Sequence, residues 1–415
     1  MSFRLVFAHA AFATFWTGRI AGTTATLMQS VALGWLVYAS ARMELEIKES
    51  LFLVGMLGLA QFLPMFLLAL VAGAVADHHD RRRILLVCSL VQLSCALGFA
   101  ILSLREQPSL TAIFGIAAIF GAARAFEMPA RMSLAPALVP REVLPMAIAW
   151  STLGMQIGMI AGPWLGGMLS AISTTLAIGG AGGLYLLAAL TAGRLLAMPI
   201  DARPRHAPGT SRLVMIREGL IHLRDSRIVL GAISLDLFAV LLGGVTALLP
   251  AYAKEILATG PEGLGWLRTM FAVGAGAMTL TLAFRPIRRH AGPWILGGVA
   301  VYGAATLTFA LATQLPLSML ALMLAGAADS VSVFVRQNLV QIVTPDAMRG
   351  RIAAVSGLFI SASNELGEFE SGVVARFLGL VGSAVFGGIG ALAVTGLWAG
   401  IFPELRRADR LEPPE

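Results

Sequence analysis

The chain alternates between long apolar runs and short polar connections. Almost every run reaches the ~20 residues that an α-helix needs to cross a hydrocarbon core of ~30 Å. The runs lie at 12–38, 50–76, 84–104, 110–128, 145–170, 176–198, 228–252, 263–284, 293–313, 316–336, 351–378 and 381–402. We therefore predict an all-α polytopic membrane protein with twelve transmembrane helices.

Composition and charge distribution support this prediction. Of 415 residues, 57% are hydrophobic and 13% charged, whereas soluble chains carry about 25% charged residues. Twenty of the 30 lysines and arginines fall in connections on the same side as the N-terminus. The opposite connections hold four, which are Arg42, Lys48, Arg105 and Lys254. The positive-inside rule then predicts that both termini are cytoplasmic. This distribution explains the net charge of +7 without a nucleic-acid partner.

The longest polar connection divides the chain into two sets of six helices. We expect an N-terminal bundle at 1–200, a cytoplasmic linker at 201–227 and a C-terminal bundle at 228–402, followed by a cytoplasmic tail at 403–415. Within the linker, residues 211–224 have the pattern of a short amphipathic helix that lies against the membrane face.

The two sets of helices are related by an internal repeat. An offset of 205 residues aligns Arg131 with Arg336 and Pro140 with Pro345. The same offset aligns Gly121, Ala149, Ser151 and Leu153 with Gly326, Ala354, Ser356 and Leu358. Arg and Pro matches at constant spacing indicate a duplication. Two parallel, pseudo-symmetric six-helix bundles are the architecture of the major facilitator transporters.

The eleventh predicted helix carries acidic residues near the middle of the membrane. At about 100° per residue, Ser361, Glu365, Glu368, Gly372 and Arg376 share one stripe, and Glu370 points the other way. A charged carboxylate at this depth costs about 3 kcal/mol or more unless it is paired, protonated or facing water.

These carboxylates are the candidates for proton coupling, because a carboxylate removed from water binds a proton more readily. Glu365 and Glu368 are the first choice; Asp236 in the seventh helix is the second, and Asp329 in the tenth is a further candidate. The alternative is a permanent salt bridge that holds the eleventh helix to a neighbour.

Other charges inside the predicted helices are candidates for cavity or gate residues. Arg124 and Glu127 either face a central cavity or form an intrahelical pair, since residues three apart are neighbours on a helix. The two repeat-related arginines, 131 and 336, are expected at the cytoplasmic mouth as gate or snorkelling charges. Arg268 and Arg376 are expected toward the outer ends of their helices, as gate partners of the glutamates.

The connection after the second helix resembles the major facilitator loop signature. It contains Gly73, Asp77, Arg81 and Arg82 in the order Gly, three residues, Asp, and then basic residues. Asp77 would accept charge-assisted hydrogen bonds and stabilise one state of the cytoplasmic gate with Arg81. The alternative is an ordinary positive-inside loop. His78 and Asp80 depart from the usual signature, which predicts a weaker or pH-sensitive interaction.

The fifth helix resembles the antiporter motif of drug-efflux proteins. Its pattern GxxxGPxxGG is formed by Gly158, Gly162, Pro163, Gly166 and Gly167. Small residues four apart give a flat helix face, and an internal proline introduces a bend. The motif favours export by exchange; the alternative is generic small-residue packing.

Further segments resemble the bacterial major facilitator exporters of the enterobactin-exporter type, from about Phe12 to Phe402. They include 336–341, 344–351, 363–372, 236–239, 248–252 and 263–268. The resemblance implies proton-driven efflux of a siderophore, drug or other small amphipathic molecule from a multi-pass protein of the bacterial inner membrane. It also implies a monomer that works by alternating access and needs no cofactor.

Competing functions find little support in the residues. An ATP-driven pump needs a phosphate loop that ends in GK[ST], and both lysines are followed by Glu. A metalloenzyme would need clustered His or Cys ligands, and none of the six histidines forms HExxH, so we expect neither a bound metal nor enzymatic activity. The remaining alternative is a facilitator or flippase for a lysophospholipid or other lipid-like molecule on the same fold.

Overall fold

The computed structural model describes residues 6–199, 221, 223–224, 226–344 and 346–409. The long helices of the N-terminal half are α1 Ala10–Ala41, α2 Ile47–His78, α3 Arg81–Ser103, α4 Leu110–Leu134, α5 Leu144–Ile172 and α6 Thr174–Ala197. Those that follow are α7 Arg227–Gly243, α8 Gly260–Phe284, α9 Ala291–Leu311 and α10 Leu315–Val343.

The last long helical stretch, Asp346–Ile401, contains two helices. Gly379 interrupts it with φ 78° and ψ 177°, a backbone conformation that glycine adopts without a Cβ penalty. We therefore number the segments α11 (346–378) and α12 (380–401), and the short helix Pro403–Arg406 is α13. The start of α11 is five residues earlier than predicted.

These helices confirm the all-α membrane architecture. Eleven stretches of the described residues are long and apolar enough to cross a membrane, and the last of them, Ser363–Ile401, continues through Gly379. Divided at that glycine, the described residues contain the twelve long helices that the hydrophobic runs predict. The cytoplasmic location of the termini stays a prediction.

The seventh helix differs from its predicted form. The sequence predicts one helix over 228–252, but regular α-helix ends at Gly243, and the chain continues through a 3₁₀ turn at Thr246–Leu248 and a π-helical turn at Tyr252–Ile256. Gly244 has an extended backbone, and Pro250 has no N–H to donate to a regular ladder. The apolar pattern runs through this break because residues of the irregular turns, such as Leu248, Leu249 and Tyr252, are themselves buried.

Contacts group the chain into two compact units. The first consists of the described residues within Met1–Met43, Ala60–Gly209 and Gly260–Thr269; the second consists of those within Glu44–Leu59, Thr210–Thr259 and Met270–Glu415. The first parts of α2 and α8 thus belong to a different unit from the rest of each helix. The predicted linker at 201–227 lies largely outside the described residues, and a division at that linker stays a prediction.

In the first unit, α1 packs on α5 and α6, and α3 packs on α4 and α6. Phe12, Phe15, Leu85 and Leu134 lie in one buried cluster. Close van der Waals packing of this kind holds helices together in lipid, where the hydrophobic effect between helices is weak.

In the second unit, α7 packs on α11 and α12, and α9 packs on α10 and α12. The C-terminal segment closes the N-terminal end of α9: the carbonyl of Ala408 accepts from the N–H of Gly292 at 2.8 Å, and Asp409 Oδ1 accepts from the N–H of His290 at 2.9 Å. These acceptors satisfy donors that a helix start leaves free.

The repeat found in the sequence has a structural counterpart. In the first unit, Gly121 of α4 lies against the backbone carbonyl of Gln61 in α2; in the second, Gly326 of α10 lies against the carbonyl of Phe271 in α8. No side chain fits at either contact. The repeat-related glycines thus set the same close helix approach in each half.

Candidate functional site

A buried ion pair joins two helices of the second unit. Arg336 Nη2 of α10 lies 3.5 Å from Asp236 Oδ2 of α7, and the two side chains are 2% and 7% exposed. Arg336 Nη1 also donates to Ser356 Oγ of α11 at 3.2 Å. Arg336 therefore reaches a carboxylate inside the bundle, whereas the snorkelling interpretation expects it to reach solvent.

A second carboxylate lies near this pair. Asp329, on the same helix as Arg336, is close enough to interact electrostatically with Arg336 and Asp236. Tyr302 of α9 is near both acids and donates its hydroxyl to the Gly243 carbonyl at 2.9 Å. Two carboxylates around one guanidinium carry a net negative charge when both are ionised. One bound proton neutralises the cluster, which is the property a proton carrier needs.

The corresponding arginine of the first unit has a different partner. Arg131 Nη2 donates to Glu127 Oε1, one turn earlier on α4, and the side chains are 21% and 9% exposed. Gln92 of α3 donates to Glu127 Oε2 at 2.7 Å. Both oxygens of Glu127 are thus engaged. Arg124, its other predicted partner, lies near the buried Tyr185.

The residues opposite the two arginines explain the difference. Gly22 of α1 lies so close to Arg131 that a Cβ there would come 2.8 Å from Nη2. In the second unit, Asp236 of α7 supplies the carboxylate. At the 205-residue offset, the counterpart of Glu127 is Ser332, whose buried hydroxyl has no hydrogen-bond partner. The two halves therefore share the arginine and take its carboxylate from different helices.

The stripe of α11 faces the first part of α2, within the second unit. A Cβ added to Gly58 would lie 3.2 Å from Glu368 Oε2 and 3.6 Å from the carbonyl oxygen of Glu365. Gly372 packs on the backbone of Gly55. The guanidinium of Arg376 lies 5.0 Å from the ring centroid of Phe52, within the range of a cation–π contact.

The opposite face of α11 packs on α7. Gly367 lies against the backbone of Val240 and Leu241, and the Ser371 hydroxyl donates to the Gly244 carbonyl. Glu370 is on this side, next to Ser371. The orientation predicted for Glu370, away from the stripe, is thus confirmed. The side chain of Ser361 lies outside the described residues.

The loop after α2 is organised around Asp80. Asp80 caps the start of α3 by accepting from the N–H of Arg82 at 2.9 Å, and it pairs with the Arg82 side chain at 2.8 Å. Arg82 also donates to the carbonyls of Leu195 and Met198 at the end of α6. Burial alone would raise the pKa of Asp80, but its hydrogen bonds with Arg82 hold the pKa below the usual range.

The other residues of the loop differ in their contacts and in their exposure to solvent. Arg81 Nη1 donates to the Ser133 carbonyl at the end of α4 at 3.0 Å. Gly73 is buried, and Asp77 and His78 are exposed. The helix ends are therefore joined by Asp80, Arg81 and Arg82, and the gate role predicted for Asp77 stays a prediction.

The glycine motif of α5 provides two packing surfaces in the first unit. Gly158, Gly162 and Gly166 lie on the backbone or side chains of α1, near Thr23, Leu27 and Met28. Gly167 instead faces α8: a Cβ placed on its partner Gly265 would come 2.6 Å from the Gly167 Cα and 3.0 Å from the Pro163 carbonyl oxygen. Every glycine of the motif therefore has a contact that a side chain would disturb.

Arg268 of α8 lies in the first unit. Its Nη1 donates to Ser30 Oγ of α1 at 2.7 Å, and its buried Nε has no hydrogen-bond partner. The part proposed for Arg268 at an outer gate stays a prediction.

Three residues of these sites were not among the candidates from the sequence. Asp80 had a usable signal, because an acid directly before a helix is a common N-cap. Gln92 and Arg19 are polar residues inside apolar runs, which is a functional signal in a membrane helix. Arg19 of α1 is close enough to Arg131 to interact with it electrostatically. The contacts of Gln92 and Arg19 could not be predicted from sequence spacing, because each joins residues of two different helices.

The fold and these buried charges define a class: a polytopic membrane transporter of the major facilitator architecture. A D-xylose–proton symporter has the same fold, with a TM-score of 0.76 and 13% identity over 99% of this chain and all of that chain. A bacterial homologue of the iron transporter ferroportin, in an inward-facing state, has a TM-score of 0.69 and 15% identity over 94% of this chain and 98% of its own.

Relatives by sequence narrow the class. The enterobactin exporter of Shigella boydii serotype 4 is 30% identical over 407 residues, which cover 94% of this chain and 93% of the relative. That of Shigella boydii serotype 18 is 31% identical over 85% of this chain and 83% of its own. The family model for transmembrane secretion effectors matches residues 5–413. The chain belongs to the family of transmembrane secretion effectors, within the major facilitator fold.

Proposed function

We propose that the chain exports a siderophore-like or other small amphipathic molecule across the bacterial inner membrane in exchange for protons. Two relatives that match most of its length are named as enterobactin exporters. The structural observation that carries the proposal is the cluster of Asp236, Asp329 and Arg336, in which two acids lie near one arginine and the Asp236–Arg336 pair is buried.

Proton binding in this cluster supplies the coupling. With both aspartates ionised, Arg336 balances one negative charge; a proton on either aspartate balances the other. Because Arg336 also contacts α11 through Ser356, a change of charge alters a contact among three helices. Glu365 and Glu368 remain candidates for the same role, and both lie on the part of α11 that packs on α2.

Alternating access requires helix contacts that separate and re-form. Two glycine contacts support this part of the proposal: Gly167 with Gly265, where α5 meets α8, and Gly372 with Gly55, where α11 meets α2. Gly167 and Gly372 are related by the 205-residue repeat. Backbone-to-backbone contacts between glycines involve few side chains, so they separate without extensive repacking. The protein works in this scheme as a monomer with cytoplasmic termini.

Proton release from purified protein tests the proposal. Catecholate siderophores, cationic dyes and lysophospholipids are added in weak buffer to the wild type and to Asp236→Asn, Asp329→Asn, Glu365→Gln and Glu368→Gln. Glu106→Gln, an exposed loop position, is the matched control. We expect one compound to release protons from the wild type and the control. The variant that lacks the proton-carrying carboxylate should bind that compound without releasing protons; we call it the carrier variant.

The outcomes separate the two candidate functions. If no compound displaces a proton from the wild type, antiport is wrong. If lysophospholipids then move between leaflets at a rate independent of the proton gradient, lipid facilitation replaces it. A carrier variant that fails to fold identifies a structural ion pair and moves the test to the remaining carboxylates.

A further inference from the structure

The first unit contains a small cavity with two cations on its wall. Arg19 of α1 and Arg131 of α4 both line it, together with the hydroxyl-bearing Ser89. The rest of the wall is largely apolar and includes Phe15 and Leu85. The two guanidiniums are close enough to interact electrostatically. The cavity volume of about 20 Å³ leaves room for little more than one water-sized group, and the two guanidiniums give the cavity a positive potential.

The two arginines differ in how their charge is balanced. Arg131 is paired with Glu127. Arg19 Nη2 lies 3.5 Å from the sulfur of Met155, which is a weak acceptor, and its buried Nε has no hydrogen-bond partner. Within the described part of the chain, no carboxylate is within ion-pair distance of Arg19. The cavity therefore contains one more positive charge than negative charge.

An unbalanced arginine inside a membrane span is costly, and such residues commonly mark a ligand or ion site. The guanidinium fork matches an oxyanion, which accepts two parallel hydrogen bonds from it. We infer that this cavity receives the charged oxygen atoms of an oxyanion at its open side, such as those of a carboxylate, a phosphate or a deprotonated catechol, through Arg19 with support from Arg131.

The occupant has two possible sources with the same chemistry: an anionic group of the exported molecule, or the phosphate of a lipid. Only the first source rests on the proposed export function. Binding can be measured without a proton gradient, so failure of export and failure of this site are separate results.

The test is the melting temperature of the full chain with oxyanion probes. In detergent, the probes are inorganic phosphate and 2,3-dihydroxybenzoate, with chloride at matched ionic strength as reference. In nanodiscs, phosphatidylglycerol is compared with a phosphate-free galactolipid. The variants are Arg19→Gln, Arg19→Lys and the control Arg194→Gln, an exposed arginine at the end of α6 that is not part of the cavity wall.

We expect a probe or lipid to raise the melting temperature of the wild type and of Arg194→Gln. Arg19→Gln should bind about tenfold or more weakly, because a charge-assisted hydrogen-bond pair is lost. Arg19→Lys should fall between them. Without a probe, Arg19→Gln should melt at or above the wild-type temperature, since it removes an unbalanced, half-buried cation from a membrane span; a merely structural arginine would give the opposite result.

The response pattern identifies the source. A shift with 2,3-dihydroxybenzoate but not with phosphatidylglycerol assigns the site to an anionic group of the exported molecule, and the reverse pattern assigns it to a lipid phosphate; a shift with inorganic phosphate shows that the site binds an oxyanion. The inference is wrong if no probe or lipid shifts the wild type, or if Arg19→Gln responds as the wild type does.

Discussion

Arg131 and Arg336 are equivalent by the repeat, yet their surroundings differ. Arg336 is 2% exposed and pairs with a carboxylate from another helix, Asp236 of α7. Arg131 is 21% exposed and pairs with Glu127 on its own helix. In the second unit, the ion pair therefore ties two helices together. In the first, it leaves α1 without an ionic contact to Arg131, and the arginine lines a cavity.

The difference shows that two repeat-related arginines are paired with carboxylates from different helices. A buried guanidinium needs an anion, but any adjacent helix can supply it. Because Gly22 lies where α1 meets Arg131, that helix contributes no carboxylate in the first unit. The second unit thus has the acid-rich cluster in which we propose proton binding, and the first has the cation-rich cavity in which we propose oxyanion binding.

The largest loss of stability should follow from breaking the buried ion pair between Asp236 and Arg336. Arg336→Met leaves Asp236 buried without its cation, which should lower the free energy of unfolding by about 3–5 kcal/mol. The double variant Asp236→Leu with Arg336→Met should recover most of this loss. Thermal unfolding in detergent measures both. If Arg336→Met is as stable as the wild type, the Asp236–Arg336 pair does not stabilise the fold.

A transplant tests whether the source of the carboxylate is interchangeable. Asp236→Gly with Ser332→Glu gives the second unit the arrangement of the first. The added Glu would lie one turn from Arg336 and should restore about 2 kcal/mol of the loss caused by Asp236→Gly alone, as expected for a buried hydrogen bond to a charged group. The melting temperatures of the single and double variants provide the comparison. If the double variant is no more stable than Asp236→Gly alone, the carboxylate stabilises Arg336 only when α7 supplies it.

The glycine contacts test a feature that the two repeats share. Gly167→Ala and Gly372→Ala each place a Cβ against the backbone of another helix. Overpacking of this kind should cost about 1–3 kcal/mol. The loss should be larger at Gly167, where the contact is tighter. Gly179→Ala, with open space around it, is the control. Equal melting temperatures for all three would contradict the close approach.

A smaller effect is expected for the pair in the first unit. Glu127→Gln removes the negative charge and keeps one acceptor oxygen for Arg131, while its new amide N–H group faces Gln92, which must turn its own amide to accept from it. Because Arg131 retains some exposure, we expect a loss of about 1–2 kcal/mol, below that of Arg336→Met. Thermal unfolding of both variants in one detergent checks the ranking. The comparison between the halves fails if Glu127→Gln is the more damaging change.

The smallest effect concerns Asp80, an acid–arginine contact outside the membrane spans. Asp80→Ala should cost about 1 kcal/mol as a lost N-cap, and Asp80→Asn should retain most of the cap. Since the folded pKa of Asp80 is lowered, its charge stabilises the fold above the unfolded pKa of about 4, and this contribution is lost as the pH falls through the folded pKa. Unfolding of wild type and Asp80→Asn from pH 7 to pH 3 should therefore converge; a constant difference would contradict the ionic contribution.

The hydrophobic pattern predicted where most helices lie, but it did not predict where the backbone departs from regular α-helix. The run at 50–76 became Ile47–His78, and that at 293–313 became Ala291–Leu311. Hydropathy did not reveal the end of regular helix at Gly243, because apolar side chains suit α, 3₁₀ and π backbones equally. The stripe of α11 was predictable from helical periodicity, whereas its contact with α2 was not.

The sequence by itself determined the helix count, the repeat and the positions of the intramembrane charges, because each depends on local residue spacing and on the cost of polar groups in lipid. Only the tertiary structure decided which anion meets which arginine. Glu127 lies within reach of Arg124 and Arg131 on one helix, and its pairing with Arg131 is supported by Gln92 from α3. Asp236 and Arg336 are 100 positions apart, and only the packing of α7 against α10 brings their charges together.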